Sequence, residues 1–335
     1  MATLGNSFID LIDIYKMQDG QGQFNPIIEM LMEMNPILED AIAVECNKGT
    51  THLHTVRTGL PSVTWGRLYK GIPNSKGRTA QVEDTTGFVE GLSTIDKRLL
   101  DLSTNEGAVR LSEAQAYLEA MSNEVAGKIF YGNTADDPEE FMGLAPRFND
   151  KSAANGGQII DAGGTGSDNT SIWFVTWGDN QCNLLYPKGT QAGVQREDMG
   201  EQRVTDENGN AYYAKEEKFT WHVGMAVKDW RYVSRVANID VSDMAGGTVK
   251  LYDFMRKAYY KLQNRRVAGG KMAIYCNRDV LEALDALATN AGATDSFVRL
   301  KPMEIEGKEV MTYRGIPIRE SDAILNTEAR VVRLV

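Results

Sequence analysis

The chain has 335 residues, with 36 Lys and Arg against 46 Asp and Glu, and a formal charge of −10. Apolar residues make up 42% and charged ones 24%, the proportions of ordinary soluble domains. No run of about 18 apolar residues and no secretory leader pattern is present, three scattered cysteines suit a reducing cytosol, and the acidic balance argues against gripping nucleic acid with the whole surface.

Residues 6–17 have the pattern of a short amphipathic helix, capped by Asn6 or Ser7, with Phe8, Leu11, Ile12 and Tyr15 on one face. Pro26 opens a second apolar stretch that is cut at Asn35-Pro36. Two such short helices bury little alone, which predicts an N-terminal arm packed on something else.

The charge is unevenly spread. From Cys46 to Val82 there is no Asp or Glu, while Lys48, Arg57, Arg67, Lys70, Lys76 and Arg78 give +6 and leave −16 for the other 298 residues. Residues 50–90 are predicted to be extended, with period-two alternation from Thr51 and with Gly59, Pro61, Gly66, Gly71, Pro73 and Gly77 forbidding a long helix. The segment has few large apolar residues (Leu60, Val63, Trp65, Leu68, Tyr69, Ile72), too little core for a forty-residue excursion inside a compact domain. It reads as a projecting hairpin with an irregular tip. Such a hairpin is either simply solvated or shaped to lie on an acidic surface. Since the rest of the chain is acidic, the obvious partner is another copy.

The strongest helix is expected at 112–131, with Leu111, Ala114, Leu118, Met121, Val125 and Ile129 on one face. Ser112 and Gln115 fit a capping box, and Gly132-Asn133 fits a stop. Leu99, Leu100 and Leu102 lead into it. A Gly-rich loop over 155–169 precedes four segments that look antiparallel: 171–177, 183–189, 211–215 and 218–227. Asn208-Gly209 is a hairpin turn signal. Residues 229–241 alternate again. Thr248 is expected to cap a helix at 249–266 with a basic last turn. Gly269-Gly270 then turns the chain into a buried strand, 271–276, and Asn277 caps a helix at 278–290. The tail holds two short strands around Glu306-Gly307 and Tyr313-Arg314-Gly315.

Catalytic chemistry is scarce. His52 and His54 fall on one face of a strand, but a metal needs a third ligand, and Cys46 is the only nearby soft one; two partly exposed imidazoles are the plainer reading. His222 stands alone in a strand. GGTGSDN (163–169) lacks the GK[ST] of a phosphate loop and reads as a flexible loop. No G-x-S-x-G occurs. Asp136-Asp137 and Glu139-Glu140 are sequence neighbours that do not converge on a substrate. Trp173, Trp177, Trp221 and Trp230 sit at strand spacing and suit core packing. No catalytic, cofactor or metal residues are assigned. The expectation is an acidic α+β protein whose arm, basic hairpin and long helix want neighbours, so assembly is the function that uses them.

In its order of parts, its MATLGNSFIDLIDIYK opening and its GIPIRESDAI ending, the chain resembles the HK97-type major capsid proteins of tailed double-stranded DNA phages, most of all the epsilon15-like podovirus group. The resemblance implies an N-terminal arm (1–50), an E-loop (51–90) reaching over a neighbour, and a peripheral domain (91–240) with spine helix 112–131 and strand-rich segment 171–240. It further implies an axial α/β domain (241–300) and C-terminal strands (301–335) returning to the core. The E-loop contacts would be Arg57, Arg67, Lys70, Lys76 and Arg78. The implied partners are other copies in hexamers and pentamers, a separate scaffold protein and a portal protein, with a small decoration protein left open. Double-stranded DNA is enclosed without sequence-specific binding, no membrane is involved, and the shell is assembled in the host bacterial cytoplasm. The competing readings are an encapsulin-like cellular compartment and a hydrolase built on the Trp-rich sheet.

Overall fold

The computed structural model describes residues 35–103, 105–206, 209–245, 247–265, 269–289, 300–305 and 308–332. The helices expected before Asn35, the Asn290 stop and the Glu306-Gly307 turn lie outside them. The chain enters through a one-turn helix α1 (Ile37–Asp40) and strand β1 (Ala43–Glu45), then the hairpin strands β2 (Thr51–Gly59) and β3 (Arg78–Asp96). Helices α2 (Lys97–Leu102), α3 (Glu106–Tyr131) and α4 (Leu144–Arg147) follow. The strand-rich part is β4 (Ile159–Asp161), β5 (Asn169–Trp177), β6 (Cys182–Tyr186), β7 (Val194–Thr205), β8 (Ala211–Val227) and β9 (Val233–Asp240). It leads to α5 (Val241–Ala245), α6 (Leu251–Lys261), β10 (Lys271–Cys276) and α7 (Arg278–Thr289). Three strands close the described chain: β11 (Lys301–Ile305), β12 (Lys308–Tyr313) and β13 (Ile316–Glu320).

The mixture is α+β, and β5 explains its layering. Every residue of β5 is buried. Because strand side chains alternate, Trp173, Val175 and Trp177 enter one core with Val125, Ile129 and Phe130 of α3, while Ile172 and Phe174 enter a second core with Met255 and Ala258 of α6 and Leu284 of α7. β10 divides in the same way, with Ala273 and Tyr275 on the α3 side and Ile274 and Cys276 on the other. The described strands pair along β11-β12-β13-β10-β5-β6-β8-β3-β2, with β1 on β6, β9 on β5 and β7 on β8.

Several sequence expectations are corrected. Helix α3 begins at Glu106, not Ser112, because the Asn105 side chain accepts the Ala108 amide at 3.1 Å and caps it. Its buried stripe includes Val109, Ala126 and Phe130, whereas Leu111 and Leu118 remain substantially exposed. Segments 211–215 and 218–227 are one strand, since β8 is paired along its length by β7 and β3. The charged β7 was not foreseen, nor was β4. The strands are not uniformly antiparallel: β5 meets β6 in parallel. Thr248 does not cap α6, which starts at Leu251 and ends at Lys261; the Thr248 hydroxyl donates to the Asp243 carbonyl at 2.8 Å instead. The tail has three strands, not two. Strand β10 and the Asn277 cap of α7, whose side chain accepts the Val280 amide at 3.0 Å, stand as expected.

Candidate assembly surfaces

The hairpin is built on a strand shared with the body. β3 is 19 residues long. Its first half pairs with β2, from Arg78 opposite Gly59 to Thr85 opposite Thr51. Its second half, from Thr86 to Asp96, pairs with β8. At ~3.3 Å per residue the free half projects the tip by roughly 26 Å. Between the strands, 60–77 is irregular, braced where the Ser75 hydroxyl donates to the Ser62 carbonyl at 2.7 Å. Leu60, Val63, Trp65, Leu68, Tyr69 and Ile72 are each at least 80% exposed, an apolar strip left uncovered by the described residues. Arg57 and Arg78 lie on the stem, Arg67, Lys70 and Lys76 on the tip, all exposed. None of the five pairs with a described carboxylate; nearer the body, Lys48 is bound by Glu83 at 3.1 Å. The hydroxyl of Thr51 and the Lys48 ammonium hold the Glu83 carboxyl below the ordinary range.

At the root of the hairpin the two strand histidines lie against one buried carboxylate. His52 is buried opposite Asp84, and His54 lies with its Nδ1 3.7 Å from the same carboxylate. Arg147, from α4, donates to Asp84 at 2.7 Å and to the carbonyls of Met142 and Met225. Burial pushes both imidazoles below their ordinary pKa; Lys228 adds to the effect on both and Arg147 on His54, against the opposing pull of Asp84. This corrects the expectation of a partly exposed side chain for His52, which is buried, while His54 keeps a small exposed fraction. Cys46 sits in a separate small cluster with Leu185 and Ala226, and among the described residues no group of three or more potential ligands is placed to hold a metal.

Two further anchors fix the ends of the body. Asp40 is buried and accepts from Lys271 at 2.8 Å, Arg319 at 3.1 Å and the Tyr275 hydroxyl at 2.9 Å, while Trp177 donates to that hydroxyl at 2.8 Å. The Asn35 amide reaches Asn123 of α3 at 2.9 Å. The segment entering from the N-terminal side is therefore tied to the helix and sheet where it arrives. Along α3, Arg110 bridges Asp198 and Glu217 of the β7–β8 ribbon, Glu217 also binds Arg196, and Glu106 binds Lys215. The ribbon was missed because its alternation is charged, and its partners are remote in sequence.

The remaining sequence candidates resolve as structure. Trp173 and Trp177 are wholly buried, Trp221 is half-buried, and Trp230 is partly exposed. His222 packs against Phe88 in the sheet, ring centroids 5.8 Å apart. The Gly-rich loop is held down, not loose: Asp168 accepts the Ser242 amide and hydroxyl, and the Gly164 amide donates to the Asn238 carbonyl at 2.8 Å.

A chain with a long projecting basic and apolar hairpin, a spine helix across a mixed sheet and a second helical layer is a shell-forming subunit of the HK97-type fold. It belongs to the major capsid protein GP7 family, whose sequence model matches residues 19–332. A cryo-electron microscopy structure of bacteriophage epsilon15 contains a chain 38% identical to it, with 99% of both chains covered and a TM-score of 0.76. The bacteriophage JBD30 capsid shares the fold at 8% identity, covering 88% of this chain and 92% of that one, with a TM-score of 0.51. The comparison with curated proteins gave no match. The chain is therefore a phage capsid subunit that assembles with its own copies into an icosahedral shell around double-stranded DNA, and neither the cellular-compartment nor the hydrolase reading is favoured.

Proposed function

We propose that the β2–β3 hairpin is the clasp by which each subunit holds its neighbour. The observation that carries this is the hairpin: six large apolar side chains at its tip and five cations along its tip and stem stand in solvent, and none of the cations pairs with a carboxylate among the described residues. Complementary charge steers encounter and fixes register, while covering the apolar strip supplies the affinity. Exposed ion pairs are worth only about 0–1 kcal/mol each, so many repeated contacts are required. In this reading 1–50 is an arm, 51–90 the E-loop, 91–240 the peripheral domain, 241–300 the axial domain at the centre of hexamers and pentamers, and 301–335 the return to the core. The role is structural and not catalytic. Assembly in the host cytoplasm uses a separate scaffold and a portal protein, and a decoration protein can be added outside.

Replacing Arg67, Lys70 and Lys76 together by Glu tests this. The outcome expected is soluble subunits with wild-type circular dichroism that close no shells. Normal particles in the electron microscope would remove the clasp assignment.

A further inference from the structure

A second basic segment is denser than the hairpin. Residues 250–271 hold seven basic side chains and a single acidic one, Asp253. In the structure Lys261 and Arg265 stand at the end of α6, and Arg314 of the β12–β13 turn meets Arg265 there over the same two tyrosine rings. Arg314 has a φ of +55° ahead of Gly315 at +80°. Its guanidinium lies over the Tyr259 and Tyr260 rings, 5.1 and 5.3 Å from their centroids, and donates to the Tyr260 hydroxyl at 3.1 Å. Arg265 lies over the same two rings at 5.4 and 4.9 Å. Neither arginine pairs with a described carboxylate, and neither do Lys257 and Lys261. By contrast Arg110, Arg147, Arg196 and Arg278 are all ion-paired. The Arg265 Nε–H also donates to the Tyr259 carbonyl at 3.2 Å, and the N–H groups that remain on the two stacked guanidinium edges are suited to a carboxylate.

The complement lies on the other helix of the same layer. α7 buries Val280 and Leu284 and exposes Glu282 and Asp285, three residues apart and so on one face. Neither acid pairs with a described cation. The Tyr252 hydroxyl, in the first turn of α6, donates to the Leu284 carbonyl of α7 at 2.8 Å. Lys261 is nine residues further on, roughly 14 Å along the helix. One layer therefore carries opposite charges at separate places. Two surfaces that fit each other but not themselves make a head-to-tail contact, and such contacts form rings where the rotation between copies closes.

We propose that the Arg265–Arg314 platform of one copy seats on the Glu282–Asp285 stripe of the next copy around each capsomer. This rests on the reading that 241–300 lies at the ring axis. A phosphodiester backbone would also suit the arginines, but it leaves the acidic stripe without a role.

The test is a charge swap in the full-length chain, read by native mass spectrometry of capsomers and electron microscopy of shells. Arg265→Glu with Arg314→Glu is expected to lower capsomer yield at least tenfold, as is Glu282→Arg with Asp285→Arg, with circular dichroism unchanged. If the arginine changes misfold, Lys257→Glu with Lys261→Glu, on exposed lysines, takes their place. All four core changes in one chain are expected to restore rings. Co-expressing the two singly reversed chains is expected to restore hexamers, in which they alternate, but not pentamers, where an odd number forbids alternation. Losses that the fourfold variant does not repair would overturn the pairing and leave the ring-axis reading standing. Intact capsomers that fail only at shell closure would overturn the ring-axis reading itself. Normal shells with altered DNA retention would overturn the proposal in favour of a nucleic-acid contact.

Discussion

The buried pair of Arg235 and Glu328 ties β9 to the C-terminal segment. Arg235 and Glu328 are both nearly inaccessible and 2.9 Å apart. The guanidinium also donates to Ser171 at 3.0 Å and to the Phe148 carbonyl at 2.9 Å, and lies 4.8 Å from the centroid of the Trp173 ring. Glu328 accepts the Tyr131 hydroxyl at 2.6 Å and the Ser171 hydroxyl. Removing one member of a satisfied buried pair strands the other charge, at a cost of about 3–5 kcal/mol. Glu328→Gln is therefore expected to lose about that much in urea unfolding of the soluble subunit, while replacing both partners by apolar residues of similar volume loses far less. Equal stability of the single variant and the wild type would contradict this. The histidines at the hairpin root give a pH dependence. Their folded pKa values lie below the ordinary 6.5, so the unfolded chain takes up protons first as pH falls. Their contribution is complete above about pH 6.5 and is lost as pH falls through the folded values. The melting temperature should drop between pH 7.5 and 5.5, and the drop should shrink in a His52→Gln, His54→Gln variant. Neither cluster was legible in the sequence. Arg147 is 63 residues from Asp84 and Glu328 is 93 from Arg235, and no local pattern marks such pairs.

At the scale of elements, legibility followed locality. The α3 helix was readable because its apolar spacing is contained in the segment itself. Its start was not, because Gly107 looks like a break and Ser112 with Gln115 imitates a cap. In the structure the cap is Asn105, and Ser112 lies two turns inside. Asn105→Ala is accordingly expected to cost about 1 kcal/mol, whereas Ser112→Ala stays within about 0.5 kcal/mol of wild type. Denaturant midpoints of the two variants decide which residue is the cap. The hairpin was readable from its glycines, prolines and missing acids, all local. The β7–β8 ribbon was not, because β7 itself buries almost nothing: ladder pairing and ion pairs to α3 hold it, while the apolar contact with Ala114 and Met121 comes chiefly from Phe219 of β8. The helix stops at Gly132, where the sequence predicts it, but not for the turn geometry that the sequence suggests. Gly132 is not left-handed; a Cβ there would come within 2.5 Å of the Phe141 carbonyl, so close approach of two backbones, not turn geometry, requires glycine.

For the whole molecule, the net charge conceals its organisation. With +6 in residues 46–82 and +6 in 250–271, the other 276 residues carry −22. In the contacts proposed above, copies attract at these two places and repel elsewhere. The five hairpin cations and Lys250, Arg256, Lys257 and Lys261 are exposed, so their field is screened over about 10 Å at 0.1 M salt and about 3 Å at 1 M. The apolar tip strip is not screened by salt, and burial there strengthens slightly in the presence of excluded salts such as sulfate. Encounter and persistence should therefore respond differently. Raising sodium chloride from 50 to 500 mM is expected to slow shell growth, followed by light scattering, by tenfold or more, because complementary charge acts chiefly on association rate. Shells already closed should survive the same salt step, since their hold depends on covered apolar area. If growth is unaffected by salt, the two basic segments do not steer subunits together. If finished shells dissolve in high salt, charge and not the buried tip holds neighbours in place.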